Sequence, residues 1–298
     1  METSRTCDIG SRLELFVDRY LIKALQGGAA LQIHRPTPRE EALVTDRPWE
    51  GNMCGYVTVF EDGGRYRRYR MYYKCSTCTL VDGPDGQRVE IAAPLRVALA
   101  ESEDGIHWQR PELGVLPFEG STANNLVWAG EGPRARGVHG FAPFRDTNPD
   151  TSPEDRYKSV GAERRATGSG LYAMQSPDGV RWRLMREAPV IRQGAFDSQN
   201  LTFWDAVRGE YRAYVRDFRS GPGGERRRDI RTATSSDFIE WTEPQWLSYP
   251  GAPDEQLYTN QITPYPRAPH IFVGFPTRYT ERPWSPTIEA LPELDHRR

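Results

Sequence analysis

The sequence predicts an all-β protein, a β-propeller of four-stranded antiparallel blades (five of them by the resemblance described below), and three observations carry the propeller prediction. Short aromatic and β-branched clusters alternate with turn residues, 27 Gly and 24 Pro in 298 positions. Helical periodicity is almost absent. The stretches SEDGIHW (Ser102 to Trp108), SPDGVRW (Ser176 to Trp182) and SSDFIEW (Ser235 to Trp241) repeat one pattern, Ser-x-Asp-x-x-x-Trp, and their aspartates Asp104, Asp178 and Asp237 lie 74 and 59 positions apart. Four-stranded units recur at that scale in propellers.

The elements follow in order. Residues 1–44 form an N-terminal segment left to complete another blade; RYLIKAL (19–25) reads as one helical turn or a strand, and Asp18 as a turn residue. The first blade, 45–115, holds YVTVF (56–60) and YRMYY (69–73) around an Asp-Gly-Gly turn at 62–64, then APLRVALAES. The second, 138–190, holds HGFAPFRD, DRYKSVGAE and SGLYAMQS. The third, 196–248, holds LTFWD (201–205), YRAYV (211–215) and RDIRTATS. A fourth unit, 256–298, opens with LYTNQITPYPRAPHIFVGFPTRY and reaches no Ser-x-Asp-Trp stretch, so the chain is expected to be incomplete after the fourth blade begins.

The repeated stretch reads as scaffold. Its Asp accepts from backbone N–H groups one or two residues on, closing a turn, and Gly105 and Gly179 supply the left-handed conformation. Phe238 replaces that Gly in the third copy, so its turn is expected to differ. Trp108, Trp182 and Trp241 are expected to pin one blade to the next.

With 39 Lys and Arg against 41 Asp and Glu, the chain lacks the basic excess of a nucleic-acid binder. It contains no run of about 18 apolar residues that would span a membrane, and the first fifteen residues carry no apolar signal core, so a reducing cytoplasm is the expected location. KCSTC holds Cys75 and Cys78 as a lone CxxC without the further ligands of a zinc site.

In PFRDTNPDTSPEDRYKSVGAE, Phe144, Arg145 and Asp146 precede a strand ending in Gly-Ala. With the blade rhythm, this resembles the five-bladed glycoside hydrolases of families 32, 43 and their relatives, and bacterial family 32-like proteins. Those enzymes carry carboxylates on the innermost strands of successive blades, and the second-blade Asp of Phe-Arg-Asp-Pro grips sugar hydroxyls in the transition state. Here Thr147 stands in place of that Pro; blade one offers Glu50 without an Asp-Pro-Asn-Gly stretch, blade three Asp197 without Glu-Cys, and blade four Glu255.

The resemblance implies Glu50, Asp146, Asp197 and Glu255 as catalytic candidates, since glycoside hydrolysis uses two carboxyl groups flanking the bond. Trp49 and Tyr258 are candidates to stack on a sugar, and Arg145, Asn200 and Asn260 to bind hydroxyls, with His34 and His139 nearby. The polar strands SQNLTFW and QLYTNQI are costly to bury unless they face water or ligand, which points to a central pocket. The leading reading is a glycoside hydrolase acting on an oligosaccharide without an organic cofactor, a structural calcium ion being compatible with it. The alternatives are a non-catalytic carbohydrate-binding or interaction propeller and, third, a sialidase-like hydrolase.

Overall fold

The computed structural model describes residues 7–63, 69–83, 86–91, 94–163 and 170–292. The first sheet contains β1 (Met53–Glu61), β2 (Tyr69–Ser76), β5 (Arg96–Ser102) and β6 (Leu126–Trp128), with a separate hairpin of β3 (Cys78–Gly83) and β4 (Gly86–Ile91) leaving the end of β2. The second is β7 (His139–Arg145), β8 (Tyr157–Ala162), β9 (Tyr172–Ser176) and β10 (Arg183–Leu184). The third is β11 (Leu201–Asp205), β12 (Glu210–Ser220), β13 (Arg226–Ser235) and β14 (Gln245–Trp246). The fourth unit pairs β15 (Gln256–Leu257) with β18 (Arg278–Tyr279) and β16 (Thr263–Tyr265) with β17 (Ala268–Val273); one helical turn, α1 (Pro286–Glu289), follows. Each four-stranded sheet is an antiparallel meander in chain order.

The first strands of successive units face one another. β7 packs against β1 on one side and β11 on the other. An axial cavity of about 170 Å³ is bounded by β1 (Val57, Phe60), β7 (Pro143, Phe144), β11 (Leu201, Phe203) and the fourth unit (Ile262). The all-β character and the four-stranded antiparallel sheets are as expected from the sequence; the described residues form three such sheets and a fourth unit of two-stranded pairs, not five blades.

Apolar interfaces hold the units together. Tyr72, Leu99, Phe141 and Trp182 share one buried cluster between the first two sheets, and Val160, Phe196, Tyr211 and Phe238 another between the second and third. Phe203, Tyr214 and Ile230 meet Phe272 and Ile262 of the fourth unit. Each large apolar side chain buried this way contributes about 2 kcal/mol. The outer face of the first sheet is covered by Leu43 and Trp49, so the preceding segment serves as its cover. Among the described residues, 7–52 contain turns and no strand, so the described part of the N-terminal segment adds no strand to a blade. RYLIKAL is a turn region, in which Asp18 Oδ1 accepts from Tyr20 N–H at 2.8 Å.

The three Ser-x-Asp-Trp stretches form one corner, between the third and fourth strands of each sheet. In the first copy the Ser102 hydroxyl accepts from Gly105 N–H at 2.8 Å, and Asp104 accepts from Ile106 and His107 N–H at 2.8 Å each. The acceptor reach is therefore two and three residues, because the serine takes the nearer donor. The other copies repeat these bonds. Phe238 adopts the glycine conformation, at φ 68, so the third turn does not differ as expected. Trp182 and Trp241 donate to the carbonyls of Gly179 and Phe238 at 3.0 Å each. The fourth strand follows the corner, so the first sheet ends at Trp128 rather than near residue 115.

Candidate functional site

A second repeat fixes the far end of the inner strands. β1, β7 and β11 close on Phe60-Glu61-Asp62, Phe144-Arg145-Asp146 and Phe203-Trp204-Asp205, and their partner strands carry Tyr69-Arg70, Tyr157-Lys158 and Tyr211-Arg212. In every sheet the aspartate meets the cation of its own second strand. Arg70 Nε lies 2.9 Å from Asp62, Lys158 Nζ bonds Asp146, and Arg212 Nε lies 3.1 Å from Asp205. Two of the aspartates also accept from the tyrosine of the following sheet, Asp62 from Tyr157 at 2.6 Å and Asp146 from Tyr211 at 2.7 Å. Asp146 further accepts from Thr151 Oγ1 and Asn148 N–H. Its carboxylate is buried and saturated, so the Phe-Arg-Asp that resembles a glycosidase signature is one copy of a structural clamp. Arg145 donates to the Asp62 carbonyl at this same end.

The other candidates separate in space. Glu50 is fully buried; Tyr73 Oη donates to it at 2.6 Å, Arg110 Nε at 2.7 Å and Arg47 N–H at 2.9 Å. Tyr73 faces the outer side of the first sheet, in the cluster covered by Leu43 and Trp49. Glu50 thus anchors the preceding segment, behind the sheet rather than on the axis. Trp49 lines clefts of about 410 and 280 Å³ on that same outer side and donates to Asn125 at 2.7 Å. Glu255 is exposed and paired with Arg278 at 2.8 Å. His34 is exposed in the N-terminal segment.

Asp197, Asn200, Tyr258, Asn260 and His139 come together at the opposite end, where the inner strands start. β7 carries Asp146 seven residues beyond His139, roughly 20 Å along a strand at 3.3 Å per residue. Asn200 and Asn260 are buried and hold backbone: Asn200 accepts from Arg216 N–H, and Asn260 donates to the Tyr214 carbonyl and accepts from Ile262 N–H. Of the polar residues that seemed to demand a wet pocket, the amides satisfy each other and the backbone, whereas the Ser198 and Thr202 hydroxyls are buried without a hydrogen-bond partner among the described residues. Gln261 donates to Gln199 at 2.9 Å, and Gln199 donates to Thr58 Oγ1 at 2.8 Å and the Tyr56 carbonyl at 3.2 Å. That chain of amides ties the fourth unit to the third sheet and the third to the first across the axis. The cavity beneath it, where Thr58, Thr202, Gln261 and Thr263 join the apolar side chains, holds about 170 Å³, less than the ~300 Å³ of ordinary ligand pockets.

Above that chain lie the side chains at the start of the inner strands, here called the mouth. Asp197 has its side chain 57% exposed and pairs with the buried Arg216, while its carbonyl accepts from Tyr56 Oη at 3.0 Å. Lys74, opposite Gly55 in the β1–β2 register, sits 4.6 Å over the Tyr56 ring. His139 meets Tyr56 edge to face at 5.5 Å. Both its ring nitrogens are buried and without a hydrogen-bond partner among the described residues. Burial, with the nearby Lys74 cation, pushes the His139 pKa down to about 4, so its ring is neutral at pH 7. Burial, with Tyr258 close by, pushes Tyr56 up to about 12, which makes it a protonated donor. Tyr56 (φ 50) and Gln261 (φ 48) hold left-handed backbone here, a conformation costing roughly 1–3 kcal/mol that tends to gather at working sites.

The sequence reading missed Tyr56, Lys74, Arg216, Gln199 and Gln261. Their shared signal is position: each lies at or beside the start of an inner strand. Among the described residues no group of three His, Cys, Asp or Glu side chains could hold a metal ion. No helix of the described residues is long and apolar enough to cross a membrane.

No family model matches the chain, and no curated protein matches it. Among solved structures it is similar to an N-acetylgalactosamine deacetylase from F. plautii in complex with blood group B trisaccharide, at 15% identity over 72% of this chain and 60% of that one, with a TM-score of 0.43. A glycoside hydrolase matches at 12% identity over 70% and 62%, with a TM-score of 0.43. The endo-1,5-alpha-L-arabinanase of Thermotoga petrophila RKU-1 matches at 15% over 63% and 41%, with a TM-score of 0.36. The chain spans less than two thirds of each of these proteins.

Proposed function

We propose that this protein binds carbohydrate at the mouth of its inner strands, as a recognition propeller rather than a two-carboxylate hydrolase. The observation that carries the reading is the distribution of carboxylates. Asp197 is exposed at the mouth, whereas Glu50 is locked behind the first sheet, Asp146 is clamped roughly 20 Å away, and Glu255 is paired with Arg278. Acid/base cleavage of a glycosidic bond needs a second carboxyl within about 5–9.5 Å of the first. A tyrosine nucleophile is activated by a neighbouring general base or a lowered pKa, whereas Tyr56 Oη donates to the Asp197 backbone carbonyl and its pKa is raised. What the mouth offers is hydroxyl recognition: an exposed carboxylate held in place by the buried Arg216, with Tyr56 and the Tyr258 ring. The finer reading of five blades related to glycoside hydrolase families 32 and 43 belongs to this proposal, supported by inner strands of four units around one axis.

Calorimetric titration with neutral oligosaccharides tests it. Asp197→Ala and Tyr258→Ala are expected each to weaken binding at least tenfold, and Asp197→Ala also to lower the melting temperature, because it leaves the buried Arg216 without its carboxylate. Binding untouched by both changes would place the site elsewhere. Release of new reducing ends, abolished by Asp197→Asn, would replace the recognition reading with a hydrolase.

A further inference from the structure

The β12–β13 hairpin outruns its sheet. β11 begins at Leu201, opposite Tyr214, yet β12 and β13 stay paired to Ser220 and Arg226. Those six further residues carry the hairpin roughly 20 Å past the start of β11. Alternation then sorts its side chains onto two faces. Asp217, Arg219, Arg227, Asp229 and Arg231 share one face, where every cation is matched: Arg219 with Asp229 and Asp254, Arg231 with Asp217, Arg227 with Asp254.

The other face carries Arg216, Phe218, Arg226 and Arg228 and contains no acidic residue. Arg226 lies 4.0 Å over Phe218, and Arg228 lies 3.9 Å over Tyr279. Arg216 and Arg228 flank Tyr258 at 5.2 and 5.6 Å. Among the described residues, neither Arg226 nor Arg228 has a carboxylate within ion-pair distance, and Arg228 Nε is buried without a hydrogen-bond partner. The chain as a whole has a net charge of −2, so this excess of cation is local. Stacking on aromatic rings holds guanidinium planes in place, and an ordered guanidinium binds an oxyanion with two parallel hydrogen bonds.

We propose that this face of the hairpin is an oxyanion subsite, and that the saccharide taken at the mouth carries a negative group, the carboxylate of a uronic acid or a sulfate ester. The inference rests on the proposed carbohydrate reading and names its ligand class. Asp197 disfavours an anion directly at Arg216, which puts the ligand's charge at Arg226 and Arg228.

The full chain is titrated with tetragalacturonate, with its fully methyl-esterified neutral form, and with a sulfated galactan tetrasaccharide beside its unsulfated parent. At least tenfold tighter binding of an acidic form than of its neutral partner is expected, weakening as salt rises. In the Arg226→Gln, Arg228→Gln double variant that preference should vanish while the neutral form binds as before. Preference in the uronate pair alone, or in the sulfate pair alone, identifies the source of the charge. Equal affinity for charged and neutral forms overturns the subsite and leaves the carbohydrate reading standing. A preference that survives in the double variant also overturns it. Binding of none of the four overturns both readings.

Discussion

At the residue scale, Phe238 shows how a local rule yields to packing. The corner turn needs a left-handed residue, which Gly105 and Gly179 supply in the first two copies. A non-glycine residue there costs about 1–2 kcal/mol. Phe238 bears that cost because its ring is fully buried, 5.1 Å from Tyr211 and 5.7 Å from Phe144. Removing a buried Phe costs about 3–5 kcal/mol, more than the strain released, and glycine adds about 0.5–1 kcal/mol of chain entropy. Phe238→Gly is therefore expected to destabilise by about 2–4 kcal/mol, although it restores the residue the other copies use. Urea denaturation of the two proteins measures the difference, and a stabilised variant would show that backbone strain dominates. The same comparison explains why the sequence misled at this position: turn chemistry is readable from residue type, but the burial that offsets it belongs to the neighbouring sheet.

At the scale of elements, the blades are held by two repeats, and only one was noticed in the sequence. Ser-x-Asp-Trp stands out because its Trp is rare and its spacing constant. Phe-x-Asp followed by Tyr-Arg or Tyr-Lys is hidden by turns of unequal length, with 6, 10 and 5 residues between the aspartate and the tyrosine. One copy, Phe144-Arg145-Asp146, matched a family signature and was assigned chemistry; the other two assign it structure. The strands and their order were legible, since alternation and aromatic content are local. The carboxylate partners were not, since Tyr73, Arg110, Lys158 and Tyr211 reach Glu50 and Asp146 from other strands or the next sheet. The clamp reading predicts that Asp146→Asn lowers stability by about 3–5 kcal/mol, because Lys158 is left buried without a countercharge. Paired with Lys158→Met, which removes that stranded charge, the same substitution should cost markedly less. A denaturation double-mutant cycle reads the coupling, and an additive result would mean the ion pair is not the clamp.

For the whole molecule, the mouth and the corner turns carry the pH dependence. Unfolded histidine binds its proton near pH 6.5, whereas burial beside Lys74 holds folded His139 to about 4. Between those values the unfolded chain binds more protons, so stability falls as the pH falls. A shift of that size corresponds to at most about 3 kcal/mol. The corner aspartates act lower. Burial raises the pKa of Asp178 and Asp237, but the backbone N–H groups and serine hydroxyls pointing at them outweigh it and leave both depressed. Their stabilisation is present above the ordinary carboxylate value of 3.8 and is lost as the pH falls through their lower folded values. Exposed His107, raised by Asp104, titrates in the opposite sense, and solvent screens that pair. Denaturation midpoints from pH 8 to pH 3 should therefore fall in two stages, one between about 6.5 and 4 and one below 3.8. His139→Gln should flatten the first stage and leave the second, because glutamine has no proton to take up while the corners are unchanged. A first stage that persists in His139→Gln would assign it to another group and remove the neutral buried imidazole from the account of the mouth.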